Sequence, residues 1–257
     1  MKPSIRLAAL AGAAFVAGMS SAFAGDTFDA VKARGEVICG VHTGLYGFGT
    51  PDEKGNWTGL DIDMCRAVAA AVFGDATKVK YVPLSAQARL TALQSGEVDI
   101  LSRNTTWTLS RDTANGLNFT VVNYYDGQGF MVKKDLDVKS ALELEGATIC
   151  VQTGTTTEVN LADYFRANEM QFTPVTIEKY EEVTAAYLSG RCDAITSDAS
   201  QLAAIRANDT PNPADHVILP EIISKEPLAP AVRHGDDQWF DVVKWSIYAM
   251  LEAEEKG

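Results

Sequence analysis

Basic residues are scarce in this chain: lysine and arginine number 22 against 34 aspartates and glutamates, a formal net charge of -12. It lacks the positive footprint that nucleic acid or an anionic lipid surface requires, so neither is an expected partner. Long apolar runs are also missing, because beyond the N-terminus no stretch approaches the roughly 20 residues that cross a bilayer. Histidine is limited to His42, His216 and His234, and none of them clusters with a cysteine. The four cysteines, Cys39, Cys65, Cys150 and Cys192, lack metal-knuckle spacing. No metal or other cofactor is therefore expected. No motif pairs a nucleophile with a base, which argues against an enzyme.

What is present begins with a segment that reads as an export signal. Lys2 and Arg6 form a positive region, Leu7 to Gly18 is apolar and alanine-rich, and Ala22-Phe23-Ala24 is a small-x-small cleavage site. Residues 1–24 are read as a signal peptide, and the mature protein as exported to the periplasm. Residues 25–257 then hold 20 basic and 34 acidic side chains, enough chain for one large core or two smaller ones. An even cysteine count in an oxidising compartment favours disulfides, with buried free thiols the alternative.

The chain echoes itself. Ile38-Cys39-Gly40-Val41-His42-Thr43-Gly44 returns as Ile149-Cys150-Val151-Gln152-Thr153-Gly154, and Ser95-Gly96-Glu97-Val98-Asp99-Ile100 as Ser189-Gly190-Arg191-Cys192-Asp193-Ala194. The common order predicts two lobes of similar construction. Between these markers strands alternate with helices. The first lobe reads as strands over 36–41, 78–84 and 98–101, with helices over 61–73 and 86–93. The second reads as strands over 147–151, 171–175 and 193–196, with helices over 158–167 and 178–188. Thr155-Thr156-Thr157-Glu158 is a capping box. The pattern predicts an α/β fold with a doubly wound sheet in each lobe and a ligand at the carboxyl ends of the strands.

Asn104-Thr105-Thr106-Trp107-Thr108-Leu109-Ser110-Arg111-Asp112 reads as a polar turn leaving a buried strand and entering a helix capped by Thr108. Its N–H groups, hydroxyls and the Arg111 guanidinium suit a carboxylate, although a capped surface helix with a solvated arginine has the same sequence. Tyr124-Tyr125-Asp126-Gly127-Gln128-Gly129 puts two glycines in a strand-like aromatic run. That fits a bending crossover between lobes or a plain hairpin. Prolines at 220, 227 and 230 break any helix where the chain returns, and 236–254 reads as one amphipathic helix.

Together with the signal peptide, Gly59-Leu60-Asp61-Ile62-Asp63, Leu93 to Ile100 and the Thr106 to Arg111 turn resemble the bacterial extracellular solute-binding proteins of polar amino-acid ABC transporters. Gly55 to Asp61, Ser102 to Thr108, Val151 to Thr157 and Gly235 to Phe240 are similar to the general L-amino-acid-binding members. The resemblance spans the mature chain. It implies a type II periplasmic binding protein fold, two α/β lobes joined by two crossover strands. The lobes fall at 25–125, 126–222 and, returning to the first lobe, 223–257. It also implies an L-amino acid trapped in the cleft, delivery to a membrane permease, and a monomer. Members continue past the last helix, so the chain is expected to be shortened at its C-terminus.

By the same resemblance Arg111 clamps the ligand α-carboxylate, and Asn104 and Thr106 add backbone or hydroxyl donors to it. Thr156 reaches the same carboxylate from the second lobe, beside Thr153. Asp198 receives the α-ammonium, although by sequence alone it reads as a helix N-cap. Leu45 and Leu60 fall where relatives carry side-chain walls, and equally read as core. The first-strand position where many relatives have an acid is His42. Two further roles remain open, a sensor-linked binding protein and a periplasmic dehydratase of the same fold. The expected sheet order brings Cys150 near Cys192, and a strand packed on its helix brings Cys39 near Cys65.

Overall fold

The computed structural model describes residues 27–257, so the expected signal peptide lies outside the described residues. In chain order the elements are α1 (Thr27–Arg34), β1 (Val37–Val41), β2 (Thr50–Pro51), β3 (Trp57–Thr58), α2 (Leu60–Phe73), β4 (Val79–Pro83), α3 (Arg89–Ser95), β5 (Ile100–Leu101), α4 (Leu109–Ala114) and β6 (Leu117–Phe119). They continue as β7 (Tyr124–Asp126), β8 (Gln128–Lys133), β9 (Thr148–Gln152), α5 (Thr156–Ala167), β10 (Thr173–Ile177), α6 (Tyr180–Leu188), β11 (Ala194–Asp198) and α7 (Ala199–Ala204). The chain ends with β12 (His216–Ile218), β13 (Glu226–Leu228), β14 (Ala231–Arg233) and α8 (Asp237–Lys256).

Two five-stranded sheets result, in the orders β4-β1-β5-β14-β6 and β10-β9-β11-β8-β12. In each, the first three strands run parallel and the fourth antiparallel to the third. The sequence echo is thus a structural repeat, since β1 and β9 hold the same place. Both are flanked on two sides and read as nearly unbroken apolar runs, as strands covered on both faces do. Gly40 within β1 is closely packed, since a Cβ there would meet Leu84 Cδ1 at 2.8 Å.

The helices follow from amphipathic spacing. In α2 the buried side chains Ile62, Cys65, Val68 and Ala69 lie on one face, Asp61 and Asp63 sit at the positive end of the helix dipole, and Gly74 ends it in a left-handed conformation. α8 packs on the first lobe through Trp239, Val243 and Ile247. The Asp236 carboxylate caps it by accepting from Trp239 N–H, and Trp239 Nε1 donates to the Asp99 carbonyl. Burying each such side chain contributes about 1.5–3 kcal/mol. Trp245 on the opposite face of α8 is exposed.

The two crossovers are β7 and β13, which pair antiparallel and put Asp126 opposite Glu226. The glycine-bearing aromatic run is a crossover and not a hairpin, because β6 belongs to the first sheet and β8 to the second. A Cβ on Gly127 would run into Ile222 and the Ser224 carbonyl, so the close approach of the crossovers requires glycine there.

Disulfides join Cys39 to Cys65 and Cys150 to Cys192, with Cα–Cα distances of 6.3 and 5.7 Å. The first ties β1 to α2, the second ties β9 to the turn before β11, and neither links the lobes. Non-reducing peptide mapping is expected to recover these two links and none between lobes. Replacing either pair by alanine should cost about 3–4 kcal/mol, the chain-entropy value for loops of these lengths, read from urea denaturation.

Candidate ligand-binding site between the lobes

The first-lobe side of the site is the turn between β5 and α4. Asp61, almost fully buried at the start of α2, accepts from Asn104 N–H at 2.7 Å and from Ser102 Oγ at 3.2 Å. Asn104 adopts φ 30°, a positive value that asparagine tolerates better than most residues. The turn is then stitched to the crossover, with Trp107 N–H donating to the Pro227 carbonyl and Ala229 N–H to that of Thr105. Thr108 Oγ1 caps α4 by accepting from Arg111 N–H.

The second-lobe side is the turn from β9 into α5 together with the end of β11. Thr155 Oγ1 caps α5 by accepting from Glu158 N–H, while the Glu158 carboxylate reaches one residue past the cap, accepting from Gly154 N–H and the Thr153 hydroxyl. Asp198 ends β11, is 6% exposed and occupies the N-cap position of α7, but its side chain makes no cap bond. Burial pushes its pKa well above the usual aspartate value. Asp126 and Glu226 add to the rise, and Arg89 and Arg111 oppose it.

Between these walls lies a narrow cavity of about 20 Å³. Arg89, Arg103, Asn104 and Thr106 line it from the first lobe, and Gln152, Thr156, Asp198 and Gln201 are among those lining it from the second. Cationic donors thus face a carboxylate across a small desolvated space, an arrangement suited to a zwitterion. Wider hollows exist, such as one against Lys133, Leu188 and His216, but it has no carboxylate converging with arginines from two lobes.

Not every expected residue lines this cavity. Arg111 is buried, yet its Nη1 donates to the Thr106 carbonyl at 2.9 Å and it stands behind the lining. The Thr153 hydroxyl is committed to Glu158. Leu45 is wholly buried and packs with Met131, Cys150 and Tyr180, while Leu60 begins α2 and packs against two core clusters. Neither leucine is among the residues that line this cavity. Their methyl groups gain more by closing the apolar seam between lobes than by facing a polar cavity.

Three residues escaped sequence reasoning. Arg89 and Arg103 carried a detectable signal, since both lie just past the carboxyl ends of parallel strands, where ligands bind. Glu226 carried none, because its role arises only when both lobes meet. It is 1% exposed. Its carboxylate accepts from Thr106 Oγ1 at 2.6 Å, Thr156 Oγ1 at 2.8 Å and Asn160 Nδ2 at 2.8 Å, and from Ser224. A hydroxyl has one proton. While Thr106 and Thr156 donate theirs to Glu226, only their backbone N–H groups remain for another anion.

Two α/β lobes on a pair of crossover strands, closing over a polar cavity, define a periplasmic-type solute receptor. The comparisons agree. The family described as bacterial extracellular solute-binding proteins, family 3, matches residues 37–256, and the chain belongs to that family. It is 63% identical over 251 residues to the general L-amino acid-binding periplasmic protein AapJ of Rhizobium johnstonii, covering 98% of this chain and 73% of the relative. It is 60% identical to the glutamate/glutamine/aspartate/asparagine-binding protein BztA of Rhodobacter capsulatus, covering 100% and 75%. Among solved structures, a periplasmic binding protein of an ABC transporter from Brucella ovis with glutathione bound superposes with a TM-score of 0.87 at 62% identity, covering 90% and 73%. Among the described residues no helix is long and apolar enough to cross a membrane.

Two measurements probe the site. Glu226→Ala strips the acceptor from donors in both lobes and is expected to lower stability by roughly 2–4 kcal/mol in urea denaturation. Burial raises the Asp61 pKa to about 6, against hydrogen bonds from Asn104 and Ser102. The unfolded chain releases that proton near pH ~4 and the folded chain holds it to about pH 6. Asp61 therefore makes stability fall by roughly 3 kcal/mol as pH rises through that window, and Asp61→Asn should remove this part of the slope.

Proposed function

We propose that the protein binds L-amino acids in its interlobe cavity in the periplasm, acting as a monomer that hands them to the membrane permease of an ABC transporter. Export rests on the signal-like residues 1–24. The lobes divide at 125/126 and 222/223, within or beside the paired crossovers. The observation that carries the reading is that one small cavity unites Asp198 of the second lobe with the arginine-rich turn of the first. The α-ammonium meets Asp198, whose burial between acids makes a cation welcome. The α-carboxylate meets backbone N–H groups of Thr106 and of Thr156 at the α5 N-terminus, with Arg111 behind them. Asn104 holds the turn. Neither lobe satisfies both ends of a zwitterion alone, so the ligand favours closure.

The raised pKa of Asp198 is also what a general acid needs, so a dehydratase of the same fold is the second reading. The transport family favours binding without turnover. Incubation with a prephenate-like acid separates the two, because any product would sink the receptor reading.

Calorimetry against a panel of amino acids tests the assignment. Arg111→Ala and Asp198→Ala are each expected to weaken binding at least ~100-fold, about 2.7 kcal/mol. Arg166→Ala, an exposed arginine on α5 paired only with Asp163, should leave it unchanged. A decarboxylated amine binding as well as its parent would refute the carboxylate contacts.

A further inference from the structure

The seam between the lobes holds a second hollow, which shares no lining residue with the cavity described above. Its volume is about 550 Å³. The first lobe contributes Tyr46 and Thr50 to its wall, and the second contributes Tyr180, Glu181, Thr184 and Asp209. No lysine, arginine or histidine lines it. The Tyr180 hydroxyl donates to Asp209 Oδ2 at 3.1 Å. Neither Asp209 nor Glu181 stands in an ion pair among the described residues, because the Lys179 ammonium at the start of α6 bonds Glu182 instead, at 2.9 Å. Thr184 is 5% exposed, and its Oγ1 has no hydrogen-bond partner among the described residues. A polar oxygen of this wall has thus been taken out of water without compensation, which native structures seldom leave unexplained.

Two acids, two phenol rings and an unpartnered hydroxyl make a wall that a cation with N–H donors fits. The carboxylates attract the charge, the ring faces of Tyr46 and Tyr180 are favourable to it, and Thr184 Oγ1 can accept one of its protons. A quaternary ammonium ion would serve the rings and acids but give the hydroxyl nothing. We infer that this hollow is a binding site for a primary alkylammonium ion, such as an aliphatic diamine, separate from the solute cavity. The site is composite. Tyr180 packs against Leu45 of the first lobe, and its ring meets that of His42 edge-on with centroids 5.0 Å apart, so the wall is complete only while the lobes are together. An amine held there favours the closed form and so tightens the hold on the solute. By reciprocity the solute tightens the hold on the amine by the same factor. The site itself does not depend on which solute fills the cavity.

The test titrates the wild-type protein with 1,4-diaminobutane by calorimetry at physiological ionic strength, against 1,4-butanediol, which has the same chain and no charge. The diamine is expected to bind at least ~10-fold tighter than the diol. Asp209→Asn, whose amide oxygen still accepts from Tyr180, and Glu181→Gln should each weaken the diamine several-fold. Asp163→Asn, at an exposed acid on α5, should not. Saturating L-glutamine should tighten the diamine several-fold. Equal affinity for diamine and diol would overturn the site. So would an Asp163→Asn loss as large as that of Asp209→Asn, since that is the mark of a general attraction to an acidic surface. Displacement of the diamine by L-glutamine would place the amine in the solute cavity and overturn it as well. If no L-amino acid bound at all, the proposed function would fall, and the diamine-against-diol comparison would still decide this site. That comparison also stands where a variant fails to fold.

Discussion

One buried carboxylate holds the architecture together at its centre. Glu226 sits on the returning crossover and accepts from Thr106 of the first lobe and from Thr156 and Asn160 of the second. A charge so deeply buried persists only where several donors surround it. Those donors arrive from segments as many as 120 residues apart. The cavity, the turn that bears Arg103 and Asn104, and the start of α5 all take their relative positions around this contact. Its effect on chemistry is direct, because it commits two hydroxyls and leaves backbone N–H groups and guanidiniums to meet a ligand.

The repeated lobe explains why the site lies where it does. Each sheet places β1 or β9 beside a parallel neighbour whose carboxyl end opens into a turn, and the two sets of turns face each other across the crossovers. The first lobe's turns bring positive groups and the second lobe's bring Asp198. A dipolar ligand is thus matched by a dipolar cleft, and the polarity is distributed between two bodies. Each body holds one disulfide, and neither bridge spans the two.

Much of this was legible in the residues. Alternating apolar runs and amphipathic stretches located the parallel strands of both sheets, the helices between them and α8 within a few positions, because burial patterns and caps act locally, whereas α1, β8, α7, β12 and β14 were not read. The Thr155 and Thr108 side-chain caps are written within four residues each, and both form. The Gly127 bend was legible as an anomaly in a strand. What stayed hidden depends on apposition. Leu45 is the same leucine whether it faces a ligand or an apolar seam, and only the packing of Met131 and Tyr180 against it decides. Arg111 is drawn back to the Thr106 carbonyl by its own turn. Glu226, between Lys225 and Pro227, looks like a surface charge until the opposite lobe is in place.

Gly154 stands where the two lobes come nearest to touching through main chain. It has φ 75°, and a Cβ there would stand 2.9 Å from the Gln87 Cα of the other lobe. What a side chain would meet is backbone and not a yielding side chain, so the lobes approach this closely only with glycine at this position.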